Sequence, residues 1–185
     1  LRFEDGGKAT GPLKIINDSE KHGSIVRFKA DPEIFQETQE YDFDTLNARI
    51  RQLAFLNKSI RLVLCDEREA EPKRIEYKYD GGIRQYVEYL NKNKTPLHEE
   101  VVYVEGIEDG ILAEIAMQYN DGYIPSIYSF CNNINTMEGG THEDGFRLAL
   151  TRIINAYARE QGMIKKDETL AGDDVREGLT AIISV

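Results

Sequence analysis

The spacing of apolar residues changes period repeatedly along this 185-residue chain. A chain patterned in this way folds as interleaved helices and strands, not as an all-α or all-β body. Residues 24–29 alternate and predict a strand, ended by Asp31-Pro32 because proline cannot donate to a ladder. Leu46, Ile50, Leu53 and Ala54 follow at helical spacing, with Asp44 read as the N-cap in preference to a metal-binding Asp42-Phe43-Asp44 pair. Residues 60–65 and 73–79 read as a hairpin across the charged loop 67–72. Asp80-Gly81-Gly82 breaks the pattern and predicts a domain boundary. Ile83, Val87 and Leu90 form a second helical stripe, closed by Lys92, Lys94 and Pro96. Segments 101–105, 111–119 and 123–131 read as a meander with Asp109-Gly110 and Asp121-Gly122 as turns. The longest predicted helix, 142–160, places Phe146, Leu150, Ile153, Ile154 and Tyr157 on one face. A short helix near 173–177 and a strand over 179–185 complete an α+β pattern.

Charge narrows the function classes. Twenty-three basic against thirty-three acidic residues give 23 − 33 = −10, the wrong sign for a general nucleic-acid coat. A hydrophobic share of 41% excludes disorder, and no run of about 18 apolar residues predicts a membrane span. No charged-then-apolar leader is visible. Cys65 and Cys131 lie in apolar runs and predict two reduced, buried thiols, as in a cytosolic protein. His142-Glu143 lacks the second histidine of a zincin, since Phe146 stands there, so metal catalysis is not expected. Leu1 replaces an initiator methionine and the last residues are apolar, which predicts a segment of a longer protein.

Two features bear on binding. Gly139-Gly140-Thr141 opens a helix, and such an entry can hold an anion. The P-loop lysine is absent, so Thr141 reads as an N-cap. Arg147, Arg152, Arg159, Lys165 and Lys166 gather in the last long helix and just beyond it. From spacing alone they read as a solvated face, with Arg147 at its border and Arg152 and Arg159 on the far side. No Ser-His-Asp order or nucleophile elbow is present, so no self-contained catalytic apparatus is expected.

Several stretches together resemble the B subunits of bacterial DNA gyrase, a type IIA topoisomerase. They are Glu88-Tyr89-Leu90-Asn91-Lys92-Asn93-Lys94, then Asn132-Asn133-Ile134-Asn135-Thr136 running into Glu138-Gly139-Gly140-Thr141-His142-Glu143 with Gly145-Phe146. The tail Gly172-Asp173-Asp174-Val175-Arg176-Glu177-Gly178-Leu179-Thr180-Ala181-Ile182 is another. The resemblance covers essentially the whole chain. It implies an α+β fold in which residues 1–80 are the C-terminal part of a GHKL-type ATPase α/β sandwich. Residues 82–185 would be the transducer, a mixed sheet packed on helices with a ribosomal-protein-type, left-handed βαβ connection. In Gly23-Ser24-Ile25-Val26, Ser24 would supply the hydroxyl near adenine and Val26 an apolar wall. Arg147 would face a central DNA cavity.

The same resemblance implies ATP and Mg2+ as cofactors of the intact enzyme, with none bound to this segment. Its general base, lid and γ-phosphate lysine would lie outside these residues, so the segment should not hydrolyse ATP alone. Implied partners are DNA, the gyrase A subunit and a second B subunit, in an A2B2 assembly of the cytoplasm with no membrane contact. Two other readings remain at this point. One is a free-standing α+β module that binds nucleic acid or protein; the other is the B-type subunit of topoisomerase IV.

Overall fold

Strand pairing decides which predicted strands exist, because an extended backbone must place its N–H and C=O groups on a neighbour. The computed structural model describes residues 1–20 and 22–185, which divide into compact units of 1–42 and 43–185. In the first unit, β1 (Phe3–Glu4) and β2 (Lys8–Ala9) form a short antiparallel hairpin around Asp5, Gly6 and Gly7, all at positive φ. The strand expected over 24–29 does not form: the backbone there is outside any strand, and Ile25, Val26 and Phe28 are exposed. Local order there is limited to small motifs. The Asp31 carboxylate accepts the Glu33 N–H at 2.9 Å, and Phe28 meets Tyr41 edge-on.

The second unit opens with α1 (Phe43–Leu56), which begins one residue before Asp44. Asp44 is therefore not the N-cap but a first-turn carboxylate, placed to complement the helix dipole. The hairpin of β3 (Leu62–Asp66) and β4 (Lys73–Tyr77) forms in the expected place, with Leu64 opposite Ile75. Its alternation buries Leu62 and Leu64 in part and turns Cys65 outward. Cys131 is exposed as well, so neither thiol is buried as expected; both are free. Helix α2 (Ile83–Asn91) follows, burying Ile83, Tyr86 and Val87.

A five-stranded sheet completes the unit. Its strands are β5 (Val102–Glu108), β6 (Ile111–Tyr119), β7 (Ser126–Cys131), β8 (Ile134–Asn135) and β9 (Leu179–Ser184). Between β8 and β9 the chain forms α3 (Thr141–Glu160) and α4 (Gly172–Arg176). The spatial order is β5-β6-β9-β7-β8, so the expected meander is interrupted by the last strand. β9 lies antiparallel to β6, with Ile182 opposite Ala116, and parallel to β7, with Ile182 opposite Tyr128. The reason is burial. Leu179 to Ile183 are at most 2% exposed, and a strand apolar on both faces belongs at the centre of a covered sheet.

The two faces of β9 feed two cores. Ile182 packs with Phe55, Ile83, Tyr86 and Val87 under α1 and α2. Leu179, Ala181 and Ile183 pack with Phe146, Leu150 and Val175 under α3 and α4. Helix α3 sits rotated from the expected face, leaving Ile153 and Tyr157 exposed. Asn155 takes a buried position there. Its amide donates to the Leu170 carbonyl at 3.0 Å and accepts the Leu170 N–H at 2.8 Å, tying the returning chain to the helix.

Thr180 centres a buried polar network on the opposite side. Its hydroxyl donates to Asn91 at 2.6 Å and accepts from Asn120 at 3.2 Å and Lys94 at 3.3 Å. The Asn91 amide in turn donates to Gln118 at 2.9 Å. Thr180→Val keeps the shape but strands these groups, and an unsatisfied buried polar group costs on the order of 1–3 kcal/mol. We expect a loss of about 2–3 kcal/mol, read as a lower urea midpoint with unchanged slope.

Candidate nucleic-acid interface

Helices α3 and α4, with the chain that joins them, enclose an open groove of about 780 Å³. Four arginines line it: Arg147, Arg152 and Arg159 from α3 and Arg176 from α4. Among the described residues, Asp144 is the only acidic one on its walls. Positions 147, 151, 155 and 159 advance by four residues and so form one row along the helix. Arg159 stands in that row with Arg147, and Arg152, outside it, lines the groove as well, so the two cations read from spacing as lying on the far side share a groove with Arg147. Lys165 is elsewhere, pairing with Glu168 at 3.6 Å, and neither it nor Lys166 lines the groove.

Each arginine is held differently. Arg147 donates from Nε at 2.9 Å and from Nη2 at 2.7 Å to one oxygen of Glu143. The other Glu143 oxygen accepts the Ser129 hydroxyl at 2.6 Å. Burial opposes ionisation of Glu143, but the Ser129 hydroxyl and the Arg147 guanidinium outweigh it, and the carboxyl titrates below its ordinary value. Arg159 donates to the Glu168 carbonyl at 3.0 Å, while its Nε is buried without a partner among the described residues. Arg176 lies 14% exposed against Asp173, whose own side chain is fully exposed. Arg152 is exposed and makes no ion pair among the described residues.

Arg176 was absent from the sequence-derived cation cluster. Its place follows from Val175, which packs into the core and so draws the short helix alongside α3. An Arg at i+3 from Asp173 was a visible signal, but only the packing shows which surface it joins.

The glycine entry to α3 is electrostatically unsuited to an anion. Gly140 is the N-cap and makes no side-chain cap bond, so Thr141 is the first helical residue and not the cap. Glu143 and Asp144 fill the first turn, and a phosphate there would meet two carboxylates. Ser24 and Val26 lie exposed and outside any strand. The described residues build no walls around them, so these two side chains do not fit a nucleotide on their own. No group of three or more His, Cys, Asp or Glu among the described residues could hold a metal, and no helix among them is long and apolar enough to cross a membrane.

Comparison with known proteins agrees with this architecture. The DNA gyrase B protein of Bacillus mycoides is 56% identical over 185 residues, all of this chain and 45% of that protein. The DNA gyrase B protein of Bacillus cereus is 58% identical over 180 residues, 97% of this chain and 44% of that protein. The chain thus spans under half the length of these relatives. The 43K ATPase domain of Thermus thermophilus gyrase B, solved in complex with an aminocoumarin, superposes with a TM-score of 0.77 at 29% identity. That match covers 96% of this chain and 49% of the Thermus chain. The family described as DNA gyrase B matches residues 82–185, the stretch that carries the sheet, α3 and α4. With more than half of its length matched in this way, the chain belongs to the DNA gyrase B family.

Proposed function

We propose that the chain acts inside a gyrase B protein as the element that relays closure of an ATP site to a DNA-holding surface. Residues 1–80 complete the ATPase domain and residues 82–185 form the transducer. The start of the family match at Gly82 supports that division. By packing, α1 and the β3–β4 hairpin belong with the sheet, since the second compact unit begins at Phe43. Residues 43–80 therefore join the two domains mechanically. Ser24 and Val26 contribute a hydroxyl and an apolar wall to the adenine pocket of the intact protein, a reading supported by the Gly23-Ser24-Ile25-Val26 motif. With ATP and Mg2+, a gyrase A subunit and a second B subunit in an A2B2 assembly, the cytoplasmic enzyme passes one DNA duplex through another and supercoils it negatively.

The groove carries this reading. Four arginines and one acid line the groove, with Glu143 and Asp173 paired to two of the four from outside the lining, in a chain whose net charge is −10. Guanidinium groups suit phosphate oxygens because their planar fork matches two acceptors at once. Each phosphate neutralised also releases counterions, which makes binding salt-sensitive. Arg147→Gln in the intact protein should reduce DNA stimulation of ATP hydrolysis several-fold and lower the salt slope of DNA binding by about 1, with the protein still folded. Undiminished stimulation would show that the groove does not hold DNA.

A further inference from the structure

Glu143 neutralises the arginine that the groove reading needs most, unless its role is to aim that arginine. The geometry favours aiming. Arg147 offers its Nε and Nη2 edge to Glu143, which leaves Nη1 and the second Nη2 proton on the end-on edge. Arg147 is about one-third exposed and lines the groove, whereas Glu143 is only 13% exposed. Glu143 is itself fixed from behind. The Ser129 hydroxyl that donates to it belongs to β7 and is 1% exposed. Ser129 lies within 2.6 Å of the Thr136 hydroxyl, and Thr136 within 3.1 Å of His142 Nε2. The carboxylate is thus anchored to the sheet, and the guanidinium hangs from it in one orientation.

We infer that Glu143, clamped by Ser129, is the positioning residue of the groove, turning the end-on edge of Arg147 toward a DNA phosphate. This rests on the groove binding DNA. An unanchored arginine loses rotamer freedom when it binds; one already held side-on has lost it on folding, so less is lost at each phosphate contact. The anchor also ties the groove to β7, the parallel neighbour of the central strand β9, so a shift of the sheet would move the phosphate contact with it.

The test is a double-mutant cycle on the intact protein, reading affinity for a short duplex DNA at fixed salt. Ser129→Ala changes no charge and should weaken binding about three- to tenfold, but should have no further effect beside Arg147→Gln. Equal effects of Ser129→Ala in both backgrounds would overturn the inference while leaving the groove reading intact. No effect of Arg147→Gln would overturn the groove reading and the inference with it. Should Ser129→Ala impair folding, Glu143→Gln serves instead. It removes a negative charge, so a mere competitor for Arg147 would bind DNA more tightly once neutralised, and that result would also overturn the inference. A positioning role predicts weaker binding with Arg147 present and equal or tighter binding with Arg147→Gln. The Arg147 Nε–H resonance, protected from exchange by the Glu143 contact, should broaden in either variant without any DNA present.

Discussion

Phe55→Ala is expected to destabilise the 43–185 unit by about 3–5 kcal/mol, the usual cost of deleting a buried aromatic ring. The ring is 2% exposed near the end of α1. It stacks on Tyr79 with centroids 3.6 Å apart and on Tyr86 at 4.8 Å, and leans on Tyr89 at 5.4 Å. These three tyrosines come from the chain after β4 and from α2, so one side chain joins α1, the hairpin exit and the core under α2 and the five-stranded sheet. Removing it leaves a cavity bordered by flat rings that cannot close without moving a helix. For a unit of this size the loss corresponds to a fall of roughly 6–20 °C in melting temperature, measurable by calorimetry. Phe55→Leu, which refills much of the volume, should recover most of it. A melting temperature unchanged by Phe55→Ala would mean that α1 is not docked as described. The same substitution should uncouple ATP hydrolysis from DNA in the intact protein, because α1 is the proposed joint between the two domains.

The parts of this architecture that local chemistry determines were legible in the sequence. The β3–β4 hairpin follows from two alternating runs and a charged loop. Asp109 and Gly110, both at positive φ, close the β5–β6 hairpin with Glu108 opposite Ile111. What was not legible depends on distant partners. Nothing between residues 111 and 131 announces that a strand from the far end of the chain will separate β6 from β7. The run 24–29 has the pattern of a strand, but pattern cannot supply a neighbour. The face of α3 was misjudged because apolar residues were assumed to point inward, whereas Asn155 holds a buried position through its bonds to Leu170. That rotation turns the helix surface carrying Arg147, Arg152 and Arg159 toward the chain returning through α4. The cations of the groove were identified by residue type, but their convergence needed the rotation of α3 and the docking of α4. The buried thiols failed for a related reason: in a strand covered on one side, alternate residues face out, and Cys65 falls on the outward register.

Gly178→Ala should be the most damaging single-methyl change in the unit. Gly178 has φ +68, where an L side chain costs about 1–2 kcal/mol. A Cβ there would stand 2.4 Å from the Asn120 carbonyl oxygen and 2.8 Å from that of Gly122. Both are backbone atoms and cannot rotate away, so the chain itself must shift, adding about 1–3 kcal/mol of overpacking. The site is also tied electrostatically. The Gly178 carbonyl accepts the Asn120 N–H at 2.9 Å and its side-chain amide at 2.7 Å, which sets the register of β9 against the end of β6. One residue later Leu179 enters the core, and two residues later Thr180 enters its buried network. A displaced Gly178 therefore strains both faces of the central strand at once. The expected loss is about 2–5 kcal/mol, with faster hydrogen exchange at β9 amides than in β3 and β4. Gly106→Ala, in edge strand β5 with no atom within 4 Å of a new Cβ, should be neutral or stabilising by up to about 1 kcal/mol. Comparable losses at the two glycines would show that composition of the backbone, and not the crowding at Asn120 and Gly122, sets the cost.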